Sequence, residues 1–223
     1  MTRLLALAAV AALCAACTAA PVTTPAATSQ PPTVAPSATQ ATPGTPGPAV
    51  SYTWPPTSAC GRERWPVKTG TDADAAHIDL GTVNPTTIQH LASLAPPAAL
   101  PQDSRIPPVE VTVYQVQATL TGFKQEPDSD YHLILSDGTR TMIAEIPDPA
   151  CVGKGSPLLP GIELARTQFD ARYHPSTDHF THVSVPVTVT GVGFWDFDHG
   201  QDGVAPNAIE LHPVRNIRFG TAP

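Results

Sequence analysis

Charged residues are absent from one long stretch of this 223-residue sequence. Residues 18–59 contain no Asp, Glu, Lys, Arg or His, and 29 of these 42 positions are Pro, Thr or Ala. A segment of this composition cannot bury enough apolar surface to offset the entropy cost of ordering the chain. We therefore predict that residues 17–59 form a disordered tether, extending up to about 3.1 Å per residue where it adopts polyproline II. Its Thr and Pro content also permits O-glycosylation.

Several catalytic signatures are missing as well. The sequence has no Gly-x-Ser-x-Gly elbow, no His-Glu-x-x-His helix and no glycine-rich phosphate-binding loop. From Cys60 onward the chain carries 11 Lys and Arg against 19 Asp and Glu, a net charge of −8. Because affinity for phosphate backbones depends on Lys and Arg, this balance argues against nucleic acid as a partner. An extracytoplasmic protein, a peptide or a glycan is favoured instead.

Long apolar runs are scarce, and the one at the N-terminus, Leu4–Ala16, follows Arg3. Thirteen residues suit a signal-peptide core, whereas a membrane-spanning helix needs about 20. We therefore predict a signal peptide over residues 1–16. The run ends in Leu-Cys-Ala-Ala-Cys17, which resembles a bacterial lipobox, although Cys14 stands where that motif usually has Leu. The resemblance implies a lipid-anchored, extracytoplasmic protein acylated at Cys17; cleavage without lipidation, giving a secreted protein, is the alternative.

Only four cysteines are present, and two of them fall in the N-terminal leader. The remaining pair, Cys60 and Cys151, would lie in an oxidising compartment, where an even pair is most simply a disulfide. The bridge would close a loop of about 90 residues, for which chain entropy alone gives about 4–5 kcal/mol of stabilisation. Two thiols this far apart, without neighbouring cysteines, are poor ligands for a structural zinc ion.

The second half of the chain carries β-strand patterns. Three strands, one helix and two further strands resemble the OB-fold, a small five-stranded Greek-key barrel. We therefore predict a mainly β fold, an OB-like barrel over residues 109–223 with one helix after the third strand; a small β-sandwich is the alternative. The predicted elements are strands Val109–Leu120, Tyr131–Ser136, Thr141–Ile146, Val183–Phe194 and Ala208–Phe219, and a helix over 161–173.

Residues 60–108 are predicted to form a partly helical N-terminal extension. Asn84 followed by Pro85 is typical of a helix start, and Ile88 and Leu91 would then face inward.

Residues 191–214, GVGFWDFDHGQDGVAPNAIELHPV, concentrate Gly, Asp, His and aromatic side chains. This segment resembles one in a group of uncharacterised bacterial secreted proteins and lipoproteins, as does the hexapeptide Cys60–Trp65. The resemblance implies family membership. It implies no activity, because none is assigned to the group.

The loop within this segment is the best candidate for a metal site. Clustered carboxylates suit a hard cation such as calcium, and histidines shift the preference toward zinc or manganese. The EF-hand spacing fails, because Gln201 and Asn207 stand where that loop needs Gly and Glu. The alternative is a structured turn whose side chains cap backbone groups. The candidate metal ligands are Asp196, Asp198, His199, Glu210 and His212.

A second candidate region is the loop between the first two strands, where OB-folds commonly contact ligands. Asp128, Asp130 and His132 could act there as acid, base or ligand, and Trp195 could stack on a sugar. A solvated turn and a core aromatic residue are the plainer interpretations.

Residues Ala118–Cys151 are also loosely similar in strand pattern to staphylococcal-type nucleases. The resemblance places Asp130 and Asp148 near that family's calcium-binding aspartates. Its arginine within the third strand is missing, however, and Cys151 stands where its glutamate is expected. The incomplete set argues against nuclease activity.

Two functional hypotheses follow from the sequence. The first is a non-catalytic binding module displayed on the cell envelope, with no required cofactor. The second is a metal-dependent hydrolase that uses the acidic and histidine residues of 196–212. The missing catalytic signatures favour the first.

Overall fold

The structure is a computed structural model that describes residues 60–61 and 63–220. The predicted signal peptide, the predicted lipidation of Cys17 and the predicted tether all fall outside these residues. Within the described ranges, no helix is long and apolar enough to cross a membrane.

The N-terminal part of the described chain contains short elements. Helix α1 spans Trp65–Thr69, strand β1 spans Asn84–Thr86 and helix α2 spans Ile88–Leu91. The prediction that a helix starts at Asn84 is wrong by one turn. Residues Asn84–Thr86 pair in parallel with the next strand, and the Thr87 side chain caps α2 by accepting a hydrogen bond from the His90 amide. Ile88 and Leu91 are buried, as predicted.

Five longer strands and one helix follow. The strand bounds predicted for 131–136 and 141–146 are confirmed, because alternating side chains and a tight turn are local signals. The first long strand begins four residues later than predicted, since Val109–Val111 forms a 3-10 turn. The elements are β2 Val113–Gln125, β3 Tyr131–Ser136, β4 Thr141–Ile146, α3 Leu159–Asp170, β5 Thr181–Trp195 and β6 Ile209–Phe219.

The fold is mainly β, and its six strands form one sheet in the order β1-β2-β3-β4-β6-β5. Strand β2 also pairs with β5, so that the sheet partly closes on itself. Pairing is antiparallel except for β1 with β2 and β4 with β6. The second parallel pair places β6 beside β4, although the two strands are separated in sequence by α3 and β5.

Helix α3 packs against the sheet, mainly against β6. Ile162, Ala165 and Phe169 lie on its predicted apolar stripe and are fully buried. Phe169 contacts Phe123 edge to face, with ring centroids 5.2 Å apart. Burying an aromatic or branched side chain of this size contributes about 1.5–3 kcal/mol, so this stripe contributes strongly to the packing of the helix.

Two buried arginines form ion pairs that stabilise the packing of the N-terminal part of the described chain. The guanidinium of Arg64 donates to both carboxylate oxygens of Glu110, at 2.6 and 2.9 Å, and to the carbonyl of Trp195 at 2.6 Å. Arg105 makes a second such pair with Asp72. Paired and hydrogen-bonded charges can be buried in this way, whereas single ones cannot. These contacts fix α1 against the end of β5.

The predicted disulfide between Cys60 and Cys151 is confirmed. It joins the residues before α1 to the 3-10 turn Pro149–Cys151 that follows β4. The indole of Trp65 donates to the carbonyl of Cys151 at 3.3 Å, which adds a second link between the same two segments.

Candidate functional site

A polar cavity of about 220 Å³ opens where the β2–β3 loop meets the β5–β6 loop. Helix α1 and strand β4 complete its wall. Ionisable side chains dominate its lining, which is unusual because most ligand cavities are largely apolar. The lining residues are Glu63, Lys68, Lys124, Glu126, Pro127, Asp128, His132, Glu145, Asp196, His199, Gly200, Gln201 and Asp202.

Three side chains form a row across adjacent strands at the base of this cavity. His132 on β3 is the register partner of Glu145 on β4. Glu145 lies one residue beyond Ala144, which pairs with Leu211 of β6, and His212 follows Leu211. The sheet therefore places His132, Glu145 and His212 side by side. The resulting distances are 3.1 Å from His132 Nδ1 to Glu145 Oε1 and 3.0 Å from His212 Nδ1 to Glu145 Oε2.

Asp130 and Glu210 lie next to His212, which is the buried end of this row. Asp130 directly precedes β3, and its Oδ2 lies 3.6 Å from His212 Nε2. Glu210 lies two residues before His212 on the same face of β6, with its Oε2 3.9 Å from His212 Nδ1. All three side chains are at most 1% exposed.

The His212 ring lacks well-aligned hydrogen bonds despite these close contacts. Neither of its nitrogens makes one to any residue that the structure describes, and the same holds for Asp130 Oδ2 and Glu210 Oε2. The 3.0 Å contact with Glu145 is thus close enough for a charge interaction, but its angles are poor. Buried polar atoms without partners are rare in proteins, and each costs roughly 1–3 kcal/mol.

His132 is held by partners on both sides of its ring. Its Nε2 donates to the carbonyl of Asp202 at 2.9 Å, while its Nδ1 faces the carboxylates of Glu145 and Glu126. Both nitrogens therefore need a proton. Burial alone lowers the pKa of His132, but the contact with Glu145 outweighs it and raises the pKa to about 9.

Lys68 of α1 forms the other cationic wall of the cavity. Its Nζ lies 3.2 Å from Asp196 Oδ2 and 5.4 Å from the centre of the Phe194 ring. Burial alone lowers the pKa of Lys68, but four nearby carboxylates, Asp196 foremost, raise it above its ordinary value. Lys68 is therefore charged at neutral pH.

The carboxylates of the cluster differ in their affinity for protons. Burial and repulsion from Asp128 raise the pKa of Asp130 to about 8, while burial and repulsion from Asp196 raise that of Glu210 to about 7. Burial acts in the same direction on Glu145, but its contacts with His132 and His212 hold the pKa well below its ordinary value. Burial lowers the pKa of His212, but its contacts with Glu145 and Glu210 outweigh burial and raise the pKa to about 9. At neutral pH Glu145 is therefore ionised, whereas Asp130 holds its proton.

The structure separates the five predicted metal ligands. Glu210 and His212 belong to the buried cluster, and Asp196 pairs with Lys68 at its edge. Asp198 and His199 lie on the exposed part of the loop: Asp198 caps the Gly200 amide at 3.1 Å, and His199 Nε2 lies 4.0 Å from Glu63. The tip of the loop, from residue 197 to 200, is a turn capped by its own side chains, which was the alternative interpretation.

The predicted ligand face is also divided. Asp128 and His132 line the polar cavity, and Asp130 lies behind them in the cluster. Trp195 is only 3% exposed and lines a different cavity of about 210 Å³, together with Pro96, Pro97 and Leu100.

Sequence reasoning missed Glu145 and Lys68. Glu145 could have been found as the one charged residue in the otherwise apolar strand Thr141–Ile146. Lys68 gave no comparable signal, because its position depends on how α1 packs against the end of β5.

Comparisons with known proteins give little further information. No protein-family model matches the sequence, and no curated protein matches it. Among solved structures, a chain described as an aspartyl-tRNA synthetase from Leishmania major Friedlin is similar at 13% identity, with a TM-score of 0.37. The match covers 63% of this chain and 21% of that one, so this chain spans about a fifth of the synthetase's length. A TM-score this low carries no argument about fold or function.

Proposed function

We propose that this protein is a binding module displayed outside the cytoplasm, and that its polar cavity takes up a small ligand bearing an amino group. The observation that carries the proposal is the charge of the cavity lining. Six carboxylates face two lysines and two histidines there, so a positively charged ligand is favoured. An amino sugar or the amine of a short peptide has this chemistry.

The strand order supports the position of this binding site. Strands β2 to β6 follow the OB-fold order 1-2-3-5-4, with the first strand also paired to the fourth, and we propose that they form an OB-like barrel. In OB-folds the loops between strands one and two and between strands four and five bind ligands. The corresponding loops here, 126–130 and 196–208, both contribute to the cavity lining.

The location outside the cytoplasm is part of the same proposal. The Cys60–Cys151 disulfide supports an oxidising compartment. The proposed signal peptide and lipidated Cys17 would then anchor the module in the membrane, and the uncharged tether would hold it away from the surface. The resemblance of residues 191–214 to bacterial secreted proteins is consistent with this arrangement.

The binding proposal is tested with the purified full chain in EDTA, using ligand-observed NMR. The probes are a glucosamine tetramer and its fully N-acetylated counterpart, which differ in positive charge. We expect the free amine to bind and acetylation to weaken binding by about tenfold or more. Asp128→Asn, within the cavity, should weaken binding of the amine, whereas Asp198→Asn, on the exposed turn, should not. Equal binding of both probes, or no binding of either, would contradict the proposal.

A second candidate function is a metal-dependent hydrolase. The observation that favours it is the buried Asp130–Glu145–His212 cluster, which reaches the polar cavity through Glu145. Hydrolysis of nitrophenyl esters, phosphates or glycosides by the full chain with Mn²⁺ or Zn²⁺, abolished by EDTA, would support this candidate. No turnover with either metal would leave the binding module as the better account.

A further inference from the structure

We propose that Asp130, Glu145 and His212 hold a divalent transition-metal ion at the base of the polar cavity. This site differs from the exposed turn of residues 197–200. Each of the three residues offers one donor atom, and these atoms lie within 4.8 Å of one another. Metal–ligand bonds of about 2.0–2.2 Å place the donors of one ion roughly 3–4.4 Å apart, so small side-chain adjustments complete the site.

The unpartnered atoms of the cluster give an independent reason for a ligand. Five buried side-chain polar atoms in the described part of the chain lack a hydrogen-bond partner, and four of them are concentrated here. They are Asp130 Oδ2, Glu210 Oε2 and both ring nitrogens of His212. A fold leaves polar atoms unpaired at such a density only where something else satisfies them. A cation bound by Asp130 Oδ2 and one ring nitrogen of His212 would satisfy two of these atoms, and the third, Glu210 Oε2, lies 3.9 Å from Nδ1 of the same ring.

The chemistry of the cluster suits a cation rather than a neutral ligand. Asp130, Glu145 and Glu210 converge on His212. Glu145 also contacts His132, and Lys68 is paired with Asp196. Buried carboxylates are stable when they are paired or coordinate a metal. A dication that displaces the protons of the cluster would pair with these carboxylates.

The scaffold around the cluster suits a permanent site. Its residues project from β3, β4 and β6 or their ends, which are hydrogen-bonded neighbours, so their spacing is fixed by the sheet. His132 contacts the second oxygen of Glu145 at 3.1 Å and thereby orients that carboxylate. If Nε2 of His212 binds the ion together with Asp130, Nδ1 lies 3.9 Å from Glu210 Oε2, a carboxylate outside the three ligands, and metal-bound histidines commonly face a carboxylate in this way.

Glu145 gives the ion a route to the site. Its side chain is 12% exposed and lines the cavity, whereas Asp130 and His212 lie behind it. An ion can therefore reach the cluster from the cavity by way of Glu145.

The donor set selects the class of metal. One imidazole nitrogen with carboxylate oxygens and no thiolate suits Zn²⁺ or Mn²⁺. Calcium takes six to eight oxygen ligands and does not favour imidazole. We therefore expect Zn²⁺ and Mn²⁺ to bind more tightly than Ca²⁺ or Mg²⁺.

The test uses the full chain, freed of metal with a chelator and titrated with Zn²⁺ or Mn²⁺ by calorimetry. We expect one ion per chain. Asp130→Asn and His212→Gln should lower the affinity at least about tenfold, whereas the matched variants Asp198→Asn and His199→Gln should leave it unchanged. Equal losses in the matched variants, or fewer than about 0.1 ions per wild-type chain, would overturn the proposal.

A spectroscopic measurement on the wild-type chain keeps the proposal testable if the cluster variants do not fold. Mn²⁺ bound to His212 should show hyperfine coupling to the imidazole ¹⁴N in pulsed electron paramagnetic resonance. The His199→Gln variant should retain that signal. Bound Mn²⁺ without nitrogen coupling would overturn the assignment. The amine-ligand experiment is run in EDTA, so a failure of the metal site and a failure of the proposed binding function can be told apart.

Discussion

Glu145 Oε2 lies 3.0 Å from Nδ1 of His212, although the two residues are 67 positions apart in the sequence. The parallel pairing of β4 with β6 creates this contact. The other oxygen of Glu145 contacts His132, so one carboxylate lies between two histidines whose pKa values it raises. Glu145 is therefore the residue on which the charge balance of the site depends.

The first prediction concerns removal of that charge. Glu145→Gln keeps the size of the side chain but leaves His132 and His212 without their main counter-ion. Breaking a buried charge pair costs about 3–5 kcal/mol, and because Glu145 is partly exposed we expect a loss at or just below the lower limit of this range, about 2–3 kcal/mol. Urea unfolding of the metal-free protein measures the free energy of unfolding.

Glu126→Gln is the matched control for this variant. Glu126 also contacts His132, at 3.4 Å, but its side chain is 25% exposed. Exposed pairs are worth about 0–1 kcal/mol, so this variant should unfold within about 1 kcal/mol of the wild type. If the two variants lost equal stability, burial of Glu145 would not be the cause.

The second prediction is that the metal-free protein loses stability as pH rises from about 5 to 9. A group whose pKa is raised by folding stabilises the fold below its unfolded pKa and stops doing so as pH rises through its folded pKa. The raised pKa values of Glu210, Asp130 and His132, about 7, 8 and 9, cover this range. Melting temperatures in EDTA should therefore be higher at pH 5.5 than at pH 8.5.

His132→Gln identifies one source of this slope. The variant removes a group that gains a proton on folding between pH 6.5 and about 9. Its melting temperature should change less over that interval than that of the wild type. An unchanged slope would mean that His132 does not titrate as the geometry indicates.

Local elements of the fold were predictable from sequence, whereas pairings between distant segments were not. The strands over 131–136 and 141–146 follow from alternation and a turn. The helix predicted to begin at Asn84 does not begin there. Residues Asn84–Thr86 pair with β2 instead, and this pairing overrides the local Asn-Pro signal. Tertiary contacts commonly override propensity in this way.

The candidate site shows the same division. Asp130, His132, Glu210 and His212 are chemically conspicuous in sequence, but they were assigned to two separate regions. Their convergence needs the parallel contact between β4 and β6, and periodicity carries no information about which strands pair. Glu145 contacts one histidine from each region, and it was missed because the sequence does not show that β4 and β6 pair.

The third prediction concerns the Cys60–Cys151 disulfide. The bridge closes a loop with a sequence separation of 91 residues, and loss of such a native bridge typically costs about 2–5 kcal/mol. Reduction should therefore lower the melting temperature substantially. The double variant Cys60→Ser with Cys151→Ser should melt at the lower temperature with or without reductant. A reductant effect that persists in the double variant would point to another cause.

The fourth prediction joins metal binding to pH. Asp130 and His212 hold protons at neutral pH and Glu210 is about half protonated, because their pKa values are raised to about 8, 9 and 7 respectively. A metal ion must displace those protons, so its affinity should rise between pH 6 and 8.5, opposite to the trend of metal-free stability. At 100 times its dissociation constant, an ion stabilises the fold by about 2.7 kcal/mol, or roughly 5–10 °C for a chain of this size. Melting with and without Zn²⁺ at both pH values measures this effect. The cluster is an ion-pair network without a metal if Zn²⁺ leaves the melting temperature unchanged at pH 8.5.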